Sequence, residues 1–347
     1  MWLLMAAMPA NADQIRIATY HTELSRDGPG LLLRDILRGE DPQVAAVVQV
    51  IVNADADILV LQGFDHDFEQ HALAAFVARL ARAGADYPFR LSLPPNTGVP
   101  TGFDIDGDGR LGRPRDAQGY GRFTGQGGMA VLSRLPIGEV YDHSGFLWQD
   151  LPNGRAAEVL PMGALSVQRL ASVAAWEIDI VTVDGPLRLL TLHATPPVFD
   201  GPEDRNGHRN EDELRFWLNR IDGWSPSDTP SLDSRFVLMG VLNADPVDGE
   251  ARRGALIEAL SHPRLQDPAP TSPGGAEVGD PTDTADWSEP DPGNLRVSYI
   301  LPSADLSITA SGVFWPSRNS PDWPLLGGED GNGASRHRLV WVDIALP

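Results

Sequence analysis

The chain has 347 residues, is 42% hydrophobic and contains no cysteine, so it can bury a large core and cannot rely on disulfides or thiolate chemistry. Its formal net charge is -21, and all 27 basic residues are arginine. Such a charge repels phosphate backbones, which disfavours broad contact with duplex DNA or an anionic membrane face.

The N-terminus carries a short apolar run, Trp2 to Met8, followed by Ala10-Asn11-Ala12 in a small-x-small pattern. This reads as a signal peptide over residues 1–12, with a single domain over 13–347 and a secreted or periplasmic location. No other apolar run is long enough to span a bilayer.

Ile15–Tyr20 and Ile58–Gln62 have the β-branched, bounded look of buried strands. Between them, Pro42–Asn53 places Val44, Val47, Val48 and Ile51 at helical spacing after an Asp41-Pro42 start signal. Phe68–Ala83 reads as a second helix, with Leu73, Phe76, Val77 and Leu80 on one face. Strands are expected at Met129–Ser133, Glu177–Val183, Leu187–His193 and Arg235–Met239, then at Val297–Leu301, Asp305–Val313 and Leu339–Ile344. Glu211–Ile221 and Glu250–Leu260 read as helices. Strands and helices in this order fit a layered α/β domain.

Pro94–Gly128 and Pro263–Asn294 are rich in Gly, Pro and Asp and lack an apolar period, so they read as loop insertions (94–128 and 263–294). Within the first, Asp104, Asp106 and Asp108 alternate and are followed by Gly109, as in the first half of a calcium loop. The acid expected at the twelfth position is replaced by Arg115, with Asp116 one residue on. An acidic surface turn has the same pattern.

Five segments, in order, resemble the endonuclease/exonuclease/phosphatase family, the metal-dependent phosphoesterases related to deoxyribonuclease I. They are Ile15–Leu24 (IRIATYHTEL), Asp57–Asp65 (DILVLQGFD), Leu189–Asn210 (LLTLHATPPVFDGPEDRNGHRN), Phe236–Gly249 (FVLMGVLNADPVDG), and the pair Arg296–Ser303 (RVSYILPS) and Ser335–Ile344 (SRHRLVWVDI). The resemblance implies two packed mixed β-sheets flanked by helices, a four-layer α-β-β-α sandwich. It also implies a divalent ion held by carboxylates, with two histidines and an asparagine handling protons and developing charge.

Carried over residue by residue, His193, Asn243 and His337 match the family's catalytic positions. At five further positions, where the family pattern has Asn, Glu, Asp, Asp and Asp, this chain has His21, Gly63, Val241, Ser298 and Arg336. Four acids are gone and a guanidinium has arrived, so a hard cation such as Mg²⁺ should not bind there. One reading is therefore a pseudoenzyme with no cofactor at the family metal site. Its pocket would bind an anion, such as a phosphate-bearing small molecule, through Arg336, His21, Arg205 and Arg209, with the histidines protonated.

Two alternatives stay open. An active phosphoesterase or nuclease could use Mg²⁺ or Mn²⁺ on relocated ligands, with Asp65 favoured by strand parity over Asp67, Asp245 and Asp248. A calcium-dependent extracellular interaction module could be built on Asp104, Asp106 and Asp108. The sequence names no protein partner.

Overall fold

A computed structural model describes residues 14–226, 229–233, 235–287 and 291–346. The expected signal peptide at 1–12 lies outside them. Among the described residues, eleven strands form two sheets. The first, in spatial order, contains β10 (Ser307–Phe314), β11 (Leu339–Ala345), β1 (Gln14–Leu24), β2 (Ile58–Phe64), β4 (Gly128–Ser133) and β3 (Phe89–Leu91). The second runs β5 (Ile137–Asp142), β6 (Ala175–Thr182), β7 (Gly185–His193), β8 (Phe236–Val241) and β9 (Ser298–Pro302). β1 and β2 are parallel, as are β7 and β8; the other neighbouring pairs are antiparallel.

Alternation along the strands builds the layers. Trp176, Ile178, Leu187, Leu189, Val237, Met239 and Ile300 of the second sheet share one core with the first sheet. On the far side of the first sheet the same core takes in Val44, Val47 and Ile51 of α2 (Pro42–Ala54) and Leu73, Phe76 and Leu80 of α3 (His71–Arg82). Leu190, Leu192, Leu238 and Leu301 point the other way. There they meet Leu214, Trp217, Leu218 and Ile221 of α5 (Arg205–Ile221) and Leu256 and Ala259 of α6 (Gly254–Leu260). Each fully buried aliphatic side chain contributes about 1.5–3 kcal/mol. The layers are thus α-β-β-α, as the resemblance implies.

The expected strands are present to within a few residues, and α2 is capped by Asp41, whose carboxylate accepts from Val44 N at 2.8 Å. Several elements depart from expectation. α1 (Leu31–Arg38), β3, β5, α4 (Ala156–Val159) and α7 (Pro273–Val278) have too few residues or too mixed a pattern to stand out. α6 starts four residues later than expected.

α5 starts six residues earlier, because the polar run RNGHRN is its first turns. Those turns are buried: Arg205, His208, Arg209, Asn210, Asp212 and Glu213 are each under 10% exposed. The 94–128 segment is stitched inward by Asn96, whose amide donates to Ser144 O and Ala171 O at 2.7 Å.

Candidate functional site

The two sheets bring their functional ends together. β1 and β2 pair in register up to His21 opposite Gln62, and the register then slips so that Leu24 opposes Phe64. Two residues of β1, Thr22 and Glu23, therefore face one of β2, Gly63. This is a β-bulge, with Glu23 at φ 51 and Gly63 at φ 66. In the second sheet His193 pairs with Val241, and Val241 with Ser298, so β7, β8 and β9 end level. Arg336 and His337 lie just ahead of β11, which runs antiparallel to β1.

Three imidazoles meet there. His21 stacks on His337 with ring centroids 4.2 Å apart, and it touches His193 edge to face at 4.9 Å. Trp287 lies edge-on to His337 at 5.2 Å. Burial first, and then a neighbouring imidazole and Arg336, bring the His21 and His337 pKa values down to about 3 each, with Glu23 opposing the shift of His21. Burial and His21 hold His193 well below 6.5. The cluster is neutral at physiological pH. The packing opposes the expected protonation of the histidines: the rings are taken out of water beside one another, and the Glu23 carboxylate, which raises the His21 pKa, only partly offsets that.

Gly63 explains why His21 can sit where it does. A Cβ at position 63 would lie 2.7 Å from His21 Cε1 and 2.9 Å from its Nε2. The imidazole fills the space in which a side chain at 63 would begin. Val241 is fully buried and apolar, and the buried Ser298 hydroxyl has no hydrogen-bond partner. Asn243, at φ 52, donates its side-chain amide to Ala194 O at 2.7 Å, which holds the end of β8 against that of β7.

Sequence reasoning passed over Glu23. Its carboxylate accepts from Arg336 N at 2.8 Å, Arg336 Nε at 2.9 Å and Ser335 Oγ at 3.2 Å. Burial would raise this carboxyl, and the Arg336 bonds and charge outweigh that, holding it below its usual value. Arg336 is thereby neutralised. A signal was present in the chain, since Glu23 lies two residues beyond His21, but only the bulge turns it toward Arg336.

The remaining anion-binding candidates are committed elsewhere. Arg205 donates to Ile105 O at 2.7 Å, and Arg209 to Leu170 O at 2.8 Å and Arg169 O at 2.9 Å. Both are buried as internal ties because the segment that carries them is helix and not an open loop.

The hard-metal alternative fares no better among the described residues. Gly63 and Val241 offer no donor, and Glu23 belongs to Arg336. Asp65 accepts from Arg26 N at 2.8 Å and Gly127 N at 2.9 Å. The parity argument for it fails because the bulge interrupts alternation at Gly63. Asp67 caps α3 through His71 N and Ala72 N, and Asp245 accepts from Val247 N, Asp248 N and Arg296 N. The residues present do not fit Mg²⁺ or Mn²⁺ at this centre.

Asp104, Asp106 and Asp108 do gather. One carboxylate oxygen from each lies within 4.8 Å of the others, and no other described group of three or more His, Asp or Glu side chains does this. Asp104 also accepts from Gly107 N and Gly109 N at 2.8 Å. Asp116 turns away to accept from Ile105 N and Arg113 N.

The family model described as the endonuclease/exonuclease/phosphatase family matches residues 35–337. The chain belongs to this family. Its fold is also that of a family protein from Beutenbergia cavernae, at TM-score 0.56 and 19% identity over 96% of this chain and 72% of the other. A family protein from Leptotrichia buccalis gives 0.53 and 15% over 96% and 100%. One from Bacteroides thetaiotaomicron gives 0.52 and 13% over 96% and 98%. No curated protein matches in sequence. At such identities the likeness concerns fold, and this family member's chemistry has to be argued from its own residues.

Among the described residues no helix is long and apolar enough to cross a membrane.

Proposed function

We propose that this chain is an endonuclease/exonuclease/phosphatase-fold protein that no longer carries out metal-dependent phosphoester hydrolysis. The observation that carries the reading is the fit of His21 into the space beside Gly63. A carboxylate ligand cannot be restored at 63 while that imidazole is in place. The neutral histidines and the Glu23–Arg336 pair support it, since neither a hard cation nor a phosphate dianion finds opposite charge there.

The test is hydrolysis of phosphodiester and phosphomonoester substrates in Mg²⁺, Mn²⁺ and Ca²⁺. It is run beside a variant carrying His21→Asn, Gly63→Glu, Val241→Asp, Ser298→Asp and Arg336→Asp. Turnover by the variant alone is expected. Turnover by the unaltered chain that His193→Ala abolishes would sink the reading.

One observation favours a second, separate role for calcium: the gathered carboxylates of Asp104, Asp106 and Asp108. Calcium there would order the 94–128 segment without doing chemistry. Calcium chloride should then raise the melting temperature, and Asp104→Asn with Asp106→Asn should remove the increase. An equal increase in that variant would exclude the loop as the site.

A further inference from the structure

The segment 280–287 lies against the histidine cluster and is tied there by backbone, hydroxyl and ion-pair contacts. Ala285 bridges Leu295 on one side and His337 on the other, both antiparallel. Arg338 N donates to Thr284 O at 2.7 Å, and Asp286 N to Arg336 O at 2.9 Å. Thr284 Oγ1 accepts from Val297 N at 2.8 Å and from Ser298 N at 3.0 Å. Asp286 takes the buried Arg338 guanidinium at 2.9 Å, and Trp287 lies edge-on to His337 at 5.2 Å. Lifting this segment would uncover His337 and the start of β9.

One of its residues works against these ties. Asp283 is only 5% exposed. The charges that act on it most are all carboxylates: Asp280 on the same segment, and Asp245 and Asp248 in the turn after β8. Arginines of the neighbouring elements are committed elsewhere. Arg296 pairs with Asp267 at 2.9 Å, and Arg253 donates to Asp245 O and Gly249 O. Arg338 belongs to Asp286 and Arg336 to Glu23. Burial first, and then the three carboxylates, push the Asp283 pKa up to about 7, with a backbone hydrogen bond at Asp280 opposing the shift. A buried carboxyl among other acids is costly when ionised and tolerable when it holds a proton.

We propose that residues 280–287 form a strap that stays seated on the histidine cluster while Asp283 holds a proton and lifts when that proton is lost.

The direction follows from linkage. In the lifted strap Asp283 titrates as an ordinary aspartate, at about 3.9. The seated strap binds the proton more tightly, so seating is favoured fully below about pH 4 and weakens as pH rises through about 7. Between those limits each pH unit weakens it about tenfold. His337 and Tyr299, which also border this region, keep one charge state across that range: burial holds the imidazole down at about 3 and the phenol well above 10. The strap governs access to the centre, whatever chemistry the centre retains.

The test is hydrogen exchange of the full chain, read by mass spectrometry between about pH 5 and pH 8 and corrected for the intrinsic pH dependence of amide exchange. Protection of the amides of Thr284, Ala285 and Asp286 should fall roughly 100-fold across that range, while peptides from β2 and β7 keep theirs. Asp283→Asn, which cannot ionise, should hold the strap near its acid-side protection throughout. Trp287→Ala removes the contact with His337 and leaves the acid, so it should lower strap protection at every pH and preserve the fall. The pH series of the unaltered chain decides the matter even if a variant fails to fold.

Strap protection that does not change with pH, a fall shared equally by β2 and β7, or a fall that persists in folded Asp283→Asn would each overturn the proposal. Exchange is read without substrate, so each of these results leaves the loss of hydrolysis standing.

Discussion

Gly63→Glu is the perturbation that bears most directly on the centre, and its cost can be worked from two features of the site. The backbone there sits at φ 66, a left-handed conformation that costs a non-glycine residue roughly 1–2 kcal/mol. The new Cβ would also lie 2.7 Å from His21 Cε1, and the His21 ring cannot retreat freely because His337 stacks on it at 4.2 Å. Overpacking of this kind costs about 1–3 kcal/mol. The single variant should therefore lose about 2–5 kcal/mol.

His21→Asn removes the ring that is in the way and leaves φ unchanged. The double variant should then recover the packing share, with a coupling of about 1–3 kcal/mol. Urea denaturation midpoints of the four proteins in this cycle measure it. Additive effects, or a Gly63→Glu loss below about 0.5 kcal/mol, would refute the claim that His21 and position 63 compete for one space.

Two further outcomes follow from the same structure. Burial holds the folded-state pKa values of His21 and His337 down at about 3, against an ordinary imidazole value of about 6.5 in the unfolded chain. The unfolded chain thus binds more protons between those limits: their contribution to stability is full above about pH 6.5 and is lost as pH falls toward 3. His21→Asn should flatten the fall in urea midpoint between about pH 6.5 and pH 4, and parallel profiles would contradict the assignment. Separately, Glu177 and Arg220 are both fully buried and joined at 2.6 Å, with His143 on the same carboxylate at 3.0 Å. Glu177→Ala strands a buried guanidinium and should cost about 3–5 kcal/mol by urea denaturation; a loss under about 1 kcal/mol would show the network to be solvated.

How much of this was legible in the sequence depends on what carried the signal. Strands such as Ile58–Phe64 were legible because β-branched residues buried on both faces leave a bounded apolar run. The first turns of α5 were not. A helix buried around its polar residues has no amphipathic stripe, and the carbonyls that satisfy Arg205 and Arg209 come from residues 105, 169 and 170, far away in sequence.

The site was legible as a set of positions through family resemblance, and His21, His193 and His337 do meet. That burial holds their pKa values down was not legible, because burial is a property of the packed sheets. Glu23 was missed and Asp65 overvalued for a single reason: a bulge of one extra residue reverses which side chains face the cleft, and no residue type announces it.

The buried polar half of α5 has a consequence for how this protein can change. Glu213 accepts from Ser172 N and Thr195 N, Asn210 donates to Thr195 O and Leu242 O, and Arg209 reaches the 169–170 turn. The peptide segments that frame the cleft are tied to one helix behind the sheet. None of those ties passes through an ion or through positions 21, 63, 241, 298 or 336. A fold braced from behind in this way can have its reactive centre rewritten, residue after residue, while its outline persists.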